Sequence, residues 1–163
     1  MKLTTKGRYA VTAMLDLALH QQGGVVTVAD VSRRQQISVA YLEQLFGRMR
    51  RVGLIESVRG PGGGYRLALP DSQISLTRIV EAVNESISTT QCGGEPQNCC
   101  KGDGQQCLTH DLWEELGDLI AGFLGSITLG DLVARHLKKE SAQGALVHMQ
   151  NRHTLRTATH DTA

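Results

Sequence analysis

Residues 59–64 read Arg-Gly-Pro-Gly-Gly-Gly. Four glycines around a proline cannot continue a helix, because glycine loses the most conformational freedom on ordering and proline lacks the backbone donor. Nor can they fill the interior of a sheet. The chain must turn here. Leu54 to Val58 and Tyr65 to Leu69, on either side, read as short alternating strands, so the stretch is expected to form the bare tip of a β-hairpin. The run Gly-Pro-Gly-Gly-Gly-Tyr-Arg matches neither G-x-x-x-x-G-K-[ST] nor G-x-G-x-x-G, which sets aside a nucleotide-phosphate loop.

Three helical patterns precede the hairpin. Val11, Met14, Leu15, Ala18 and Leu19 recur at helical spacing until Gly23-Gly24 stops them. Thr27 with Asp30 is a capping-box variant, predicting a short helix to about Gln35. Gln36-Ile37 makes a tight connection. Ser38 then caps a third helix with Tyr41, Leu42, Leu45, Phe46, Met49 and Val52 on its apolar side, ended by Gly53. Three helices followed by a two-stranded wing predict a mainly α chain built on a winged helix-turn-helix. At roughly 100° per residue, Ala40, Glu43, Gln44, Gly47 and Arg51 of the third helix fall opposite the apolar side, flanked by Arg48 and Arg50. A recognition helix needs this division, with one face docked and the other offering amides and guanidinium groups to base edges. Gln44 suits adenine, the arginines suit guanine or phosphate, and Glu43 accepts from cytosine while penalising bases that leave it unpaired. Arg59 at the wing tip, with Gly60, Gly62 and Gly64, suits close approach to a minor groove or a phosphate.

Charge divides the chain at the same place. Met1 to Pro70 carries ten Lys or Arg against four Asp or Glu, a net of +6, and the remainder carries seven against twelve, a net of −5. Only the first half is therefore suited to a polyanion. The second half begins at Pro70-Asp71 with a short helix expected from Ile74, Leu76, Ile79, Val80 and Val83. The pattern then vanishes from Asn84 to Gln106. A longer helix is expected from about Leu108 to Gly125, roughly 27 Å long at the usual rise, with Leu112, Leu116, Leu119, Ile120, Phe123 and Ile127 along one side. Thr128 with Asp131 starts another, running to about Leu137. The polar remainder, 138–163, is expected to be disordered. The expected organisation is thus 1–70 as the DNA-binding domain, 71–137 as the short helix, a cysteine loop at about 86–110 and two further helices, and 138–163 as a tail.

No apolar stretch is long enough for a membrane span, and the polar, basic start is not that of a signal peptide, so the chain reads as cytoplasmic. In that setting the crowding of Cys92, Cys99, Cys100 and Cys107, with His110 close behind and no cysteine elsewhere, favours metal over disulfides. Thiolates suit zinc, copper(I) and iron–sulfur clusters alike. Structural zinc usually has two close cysteine pairs. Here only Cys107 and His110 are close, and the spacing leaves both a cluster and zinc open. The remaining histidines, His20, His136, His148, His153 and His160, read as solvated. Trp113 reads as core or interface.

The stretches KGRYAVTAMLDLAL, YLEQLF, SVRGPGGGYRL and the cysteine loop closing in CLTHDLW together closely resemble the IscR-type iron–sulfur cluster regulators, over roughly residues 1 to 135. The resemblance implies a homodimer on a palindromic DNA operator, a long dimerisation helix, and a 2Fe–2S cluster supplied by the cluster-assembly machinery and held by three cysteines and one histidine. It implies repression of cluster-assembly genes when loaded and action at other promoters when cluster-free. Matched by motif, Cys92, Cys107 and His110 are ligands. The middle ligand falls to Cys99, whose Asn98-Cys99 pair resembles the family's loop, or to the adjacent Cys100, because this loop is longer than the usual pattern. Ser38, Tyr41, Glu43 and Gln44 match the recognition-helix positions, and Arg59 with its glycines matches the wing.

The resulting logic is that of a sensor. A histidine among thiolates holds a cluster less tightly, so occupancy can follow supply, and loading would order the segment between the winged domain and the dimer helix. Two other readings use the same residues: a zinc-stabilised regulator that senses nothing, and a small electron-transfer protein. No nucleophile–base or cofactor motif is visible, so an enzyme is not expected.

Overall fold

The computed structural model describes residues 5–84 and 108–142. Helix α1 (Thr5–His20) leads through a 3-10 turn (Gln21–Gly23) to α2 (Val28–Gln35) and α3 (Val39–Arg51). Strands β1 (Ile55–Val58) and β2 (Gly64–Leu67) then pair antiparallel, with Ile55 opposite Leu67 and Val58 opposite Gly64. A second 3-10 turn (Asp71–Gln73) precedes α4 (Leu76–Ala82), and α5 (His110–Ser126) is followed by α6, helical from 129 to 142. This is the winged helix-turn-helix expected from the sequence, with further helices appended.

Local chemistry sets the boundaries. Thr27 Oγ1 accepts from the Asp30 amide at 3.1 Å and donates to its carboxylate at 2.7 Å, which starts α2. Gln36 stops it in the left-handed region at φ 56°, Ser38 caps α3, and Gly53 at φ 71° ends the turn after it. Thr128 and Asp131 repeat the reciprocal cap at the start of α6.

One hydrophobic cluster joins Ala10, Ala13, Met14 and Leu17 of α1 to Val31 of α2 and to Leu42, Leu45, Phe46 and Met49 of α3, and includes Leu54, Ile55 and Leu67 of the wing. It continues across residue 70 into Ile74, Ile79 and Val83, and takes in Ile127 and Leu129 from the α5–α6 junction. Burying each such large side chain contributes roughly 1.5–3 kcal/mol. Main-chain bonds from Leu76 to Ile127 (3.0 Å) and from Leu129 to Ile74 (2.8 Å) stitch the start of α4 to the α5–α6 junction.

Three expectations shift. The deepest face of α1 is Ala10, Ala13, Met14 and Leu17, while Val11, Leu15 and Leu19 are half-buried, because α1 packs on α2, on α4 and on the wing at once. Val52 is half exposed, since α3 ends at Arg51 and its periodicity does not reach Val52. The last helix passes Leu137 and continues as far as 142, the last described residue, so 138–142 of the expected disordered tail are helical, and His136 lies 3.3 Å from Glu140.

Candidate nucleic-acid interface and cysteine site

The two sides of α3 differ as its sequence requires. Leu42, Leu45, Phe46 and Met49 are buried, whereas Ser38, Ala40, Glu43, Gln44, Arg50 and Arg51 are exposed. Tyr41 is half-buried, its ring edge-on to Tyr9 of α1 at a centroid distance of 6.0 Å. The wing is fixed to this helix. Tyr65 lies against Phe46 with centroids 4.9 Å apart, and Arg50 Nη1 reaches Ser57 Oγ at 3.5 Å. Tyr65 also exchanges both main-chain bonds with Val26, at 2.9 and 2.8 Å, so the α1–α2 connection pairs with the wing.

At the tip, Arg59, Gly60 and Gly62 are exposed, with Gly60 at φ 114° and Gly62 at φ 75°, conformations that favour glycine. Gly64 plays a different part in the fold. A Cβ there would stand 2.6 Å from the Val26 carbonyl oxygen, so its missing side chain permits the close approach of the α1–α2 connection.

The structure sorts the basic residues into engaged and available ones. Arg33 pairs with Asp30 at 2.7 Å, and Arg66 pairs with Glu56 across the wing. Arg34 turns inward to Asp16, whose side chain is fully buried on α1. Its Nε and Nη2 donate to both carboxylate oxygens over 2.6–3.2 Å, and Gln35 Nε2 adds a bond of 2.7 Å. The bond to Asp16 raises the Arg34 pKa against the opposing effect of burial. Asp30 is held below the usual aspartate value chiefly by the Thr27 hydroxyl, and Asp131 by the Thr128 amide and hydroxyl.

Sequence reading missed this buried clamp, although Asp16 interrupting an otherwise apolar run was a usable sign. His20 is exposed as expected, and its Nδ1 lies 2.8 Å from the Asp16 carbonyl oxygen and 3.7 Å from its carboxylate. Arg48, expected beside the reading face, is instead half-buried and donates from Nη1 to the Val83 carbonyl at 2.9 Å. Among the described residues Arg50, Arg51, Arg59 and Glu43 make no ion pair, so three cations and one acid stay available on the α3–wing side.

Cys92, Cys99, Cys100 and Cys107 lie outside the described residues, as do His148, His153 and His160. His110, the one described member of the expected ligand set, is the first residue of α5 and only 5% exposed. Among the described residues no group of three or more His, Cys, Asp or Glu side chains could hold a metal ion. Farther along α5, Leu112, Leu119 and Phe123 are 59%, 65% and 62% exposed, while Leu116 is half-buried. The opposite side of the helix packs on α4, with Leu124 against the core and Thr77 Oγ1 donating to the Ala121 carbonyl at 3.3 Å. The helix therefore presents an apolar stripe on which no other described element packs. No helix is long and apolar enough to cross a membrane among the described residues.

Comparison with known proteins agrees with this architecture. The family described as "Rrf2: Iron-dependent Transcriptional regulator" matches residues 3–135. An HTH-type transcriptional regulator IscR of Photobacterium profundum is 50% identical over 166 residues, covering 99% of this chain and 94% of the relative. Among solved structures, T. potens IscR superposes with a TM-score of 0.68 at 34% identity, covering 83% of this chain and 88% of its own. CymR, the global cysteine regulator of B. subtilis, superposes with a TM-score of 0.70 at 30% identity, covering 83% and 98%.

Proposed function

Because the chain belongs to the Rrf2 family of iron-dependent transcriptional regulators, and is an IscR-type helix-turn-helix regulator that binds DNA, we propose that it reads the supply of iron–sulfur cluster. In this reading it represses cluster-assembly genes when loaded and acts at other promoters when cluster-free. The observation that carries the reading is the donor set. Four cysteines and His110 stand within residues 92–110, and His110 is buried at the first turn of α5. Three thiolates and a shielded imidazole fit a 2Fe–2S cluster, and the residues that would hold it are Cys92, Cys99 or its neighbour Cys100, Cys107 and His110. When bound, the cluster supplies an oxygen- and redox-sensitive cross-link among its ligands. The chain's own part is to bring the loop's thiolates to an imidazole whose backbone α5 already fixes.

DNA contact is assigned to the exposed side of α3 and to the wing. Gln44 and Arg51 offer donors to base edges, with Ser38 and Tyr41 at the start of the helix. Arg59, Gly60 and Gly62 enter the adjacent minor groove or meet its phosphates. Glu43, exposed and without an ion pair among the described residues, accepts from cytosine and disfavours other bases, which makes it the discriminating residue. The apolar stripe of α5 is assigned to a two-fold homodimer, which would present two reading heads to a palindrome.

Anaerobic purification followed by visible absorption and metal analysis tests the ligand set. Cys92→Ala, Cys107→Ala and His110→Ala should each abolish most of the colour, and only one of Cys99→Ala and Cys100→Ala should do so. Colourless wild-type protein with stoichiometric zinc would overturn the reading. Loss of colour from both Cys99→Ala and Cys100→Ala, with His110→Ala unaffected, would replace the histidine by a fourth thiolate.

A further inference from the structure

The contact between Arg48 and Val83 joins the two ends of the proposed sensor. Arg48 sits in the last turn of α3, four residues after Gln44 and three before Arg51, so it shares adjacent rows of the helix with both. Its guanidinium points away from that face and donates to the carbonyl of Val83, the fully buried residue that closes α4. The last carbonyls of a helix lack intrahelical partners and carry its negative end, so a cation there serves both as hydrogen-bond donor and as countercharge. Asn84 follows at φ 57°, its amide bonded to the Glu81 carbonyl at 2.9 Å, and Cys92 stands eight residues farther on.

The other end of α4 is held independently. Its first amide bonds to Ile127, Ile74 accepts from Leu129, and Thr77 reaches Ala121. With its start fixed to the α5–α6 junction, α4 can pass a change at Asn84 to α3 most directly through Val83 and the side chain bonded to it.

We propose that Arg48 is a positioning residue that couples the cysteine-bearing segment to the DNA-reading face, by tying the last turn of α3 to the α4 terminus from which that segment departs. The proposal rests on the cluster-sensing reading and deepens it: a change in occupancy is felt at Asn84 and Val83, and Arg48 transmits it to the register of Gln44 and Arg51. It also explains why this arginine, in a helix that otherwise offers its cations outward, is spent on a carbonyl.

The test uses the full chain, purified anaerobically and measured loaded and cluster-free against operators that distinguish the two states. Couplings between sites typically change affinity by about 5- to 150-fold. Arg48→Ala should keep the wild-type absorption spectrum and iron content, and should keep the salt dependence of DNA binding because no phosphate contact is lost. Its loaded-to-empty affinity ratio should collapse to within about twofold of unity. Arg48→Lys, which can still donate to the Val83 carbonyl, should restore most of the ratio. If Arg48→Ala does not fold, Arg48→Met keeps the packing of the stem without the donor and carries the same expectation. A wild-type ratio in the folded donor-less variant overturns the proposal and leaves cluster sensing intact. So does an equal loss of affinity in both states with a shallower salt dependence, which would make Arg48 a phosphate contact. Wild-type protein that binds no cluster, or binds DNA identically with and without one, defeats the sensing reading and the proposal with it.

Discussion

Removing the Asp16 carboxylate should unseat the helix-turn-helix without touching its reading face. The Asp16 side chain is 0% exposed and accepts three bonds from Arg34 and one from Gln35. Breaking a buried ion pair by deleting one partner typically costs about 3–5 kcal/mol, because the other charge is left uncompensated. In Asp16→Ala the orphan is Arg34, whose side chain is already 27% exposed and can recover part of its hydration, which places the cost near the lower figure. At about 3 kcal/mol, and at about 2–4 °C per kcal/mol for a chain of this size, the melting temperature should fall by about 6–12 °C.

The asymmetry of burial gives a second expectation. Arg34→Ala leaves a fully buried carboxylate with one hydrogen bond, from Gln35, and with His20 Nδ1 3.7 Å away, so it should cost more than Asp16→Ala. Replacing the pair together by Asp16→Leu and Arg34→Met should recover much of the loss, since apolar side chains of similar size remove both desolvation penalties. Circular-dichroism melts at pH 7 and fixed chain concentration measure all three variants. An Asp16→Ala melt within about 2 °C of wild type, less than 1 kcal/mol by the same scale, would refute the reasoning. So would an Arg34→Ala variant more stable than Asp16→Ala.

Arg59→Ala should weaken binding to a specific operator by about 1–3 kcal/mol and make the salt dependence shallower; unchanged affinity in a folded variant, measured by fluorescence anisotropy, would remove the wing contact. Leu119→Glu and Phe123→Glu, placed where α5 is mostly exposed among the described residues, should fold but sediment as monomers and lose palindrome binding. Wild-type protein that sediments as a monomer at micromolar concentration would assign the stripe another partner. Thr27→Ala should lower the melting temperature at neutral pH, because the Thr27 hydroxyl is the main cause of the depressed Asp30 pKa. A carboxyl held low in the folded state stabilises above its unfolded value and loses that contribution as pH falls through the folded one. The gap between Thr27→Ala and wild type should therefore narrow in acid, and a gap independent of pH would contradict the cap.

What could be read from the sequence, and what could not, divides along sequence separation. Thr27 with Asp30, Ser38, Thr128 with Asp131, and the glycine tip act within four residues, so their geometry is fixed by local backbone rules and was legible. The charge pattern was legible only as a sum. The +6 of residues 1–70 does not distinguish Arg34, bonded to an acid 18 residues earlier, from Arg59, which makes no ion pair among the described residues. Once packing assigns partners, three of the four acids in that half are consumed, at Asp16, Asp30 and Glu56, along with Arg34, Arg33 and Arg66. Those pairings cancel in the net charge, so the total survives while its location changes. What remains near the reading face is Arg50, Arg51 and Arg59, with Glu43 as the one acid unpaired among the described residues of that half. A lone carboxylate among cations that are free to meet phosphate has no internal partner to soften its desolvation, so its cost on approaching DNA is set by the base opposite it. On the proposed reading, affinity then comes from these arginines and discrimination from a single acid.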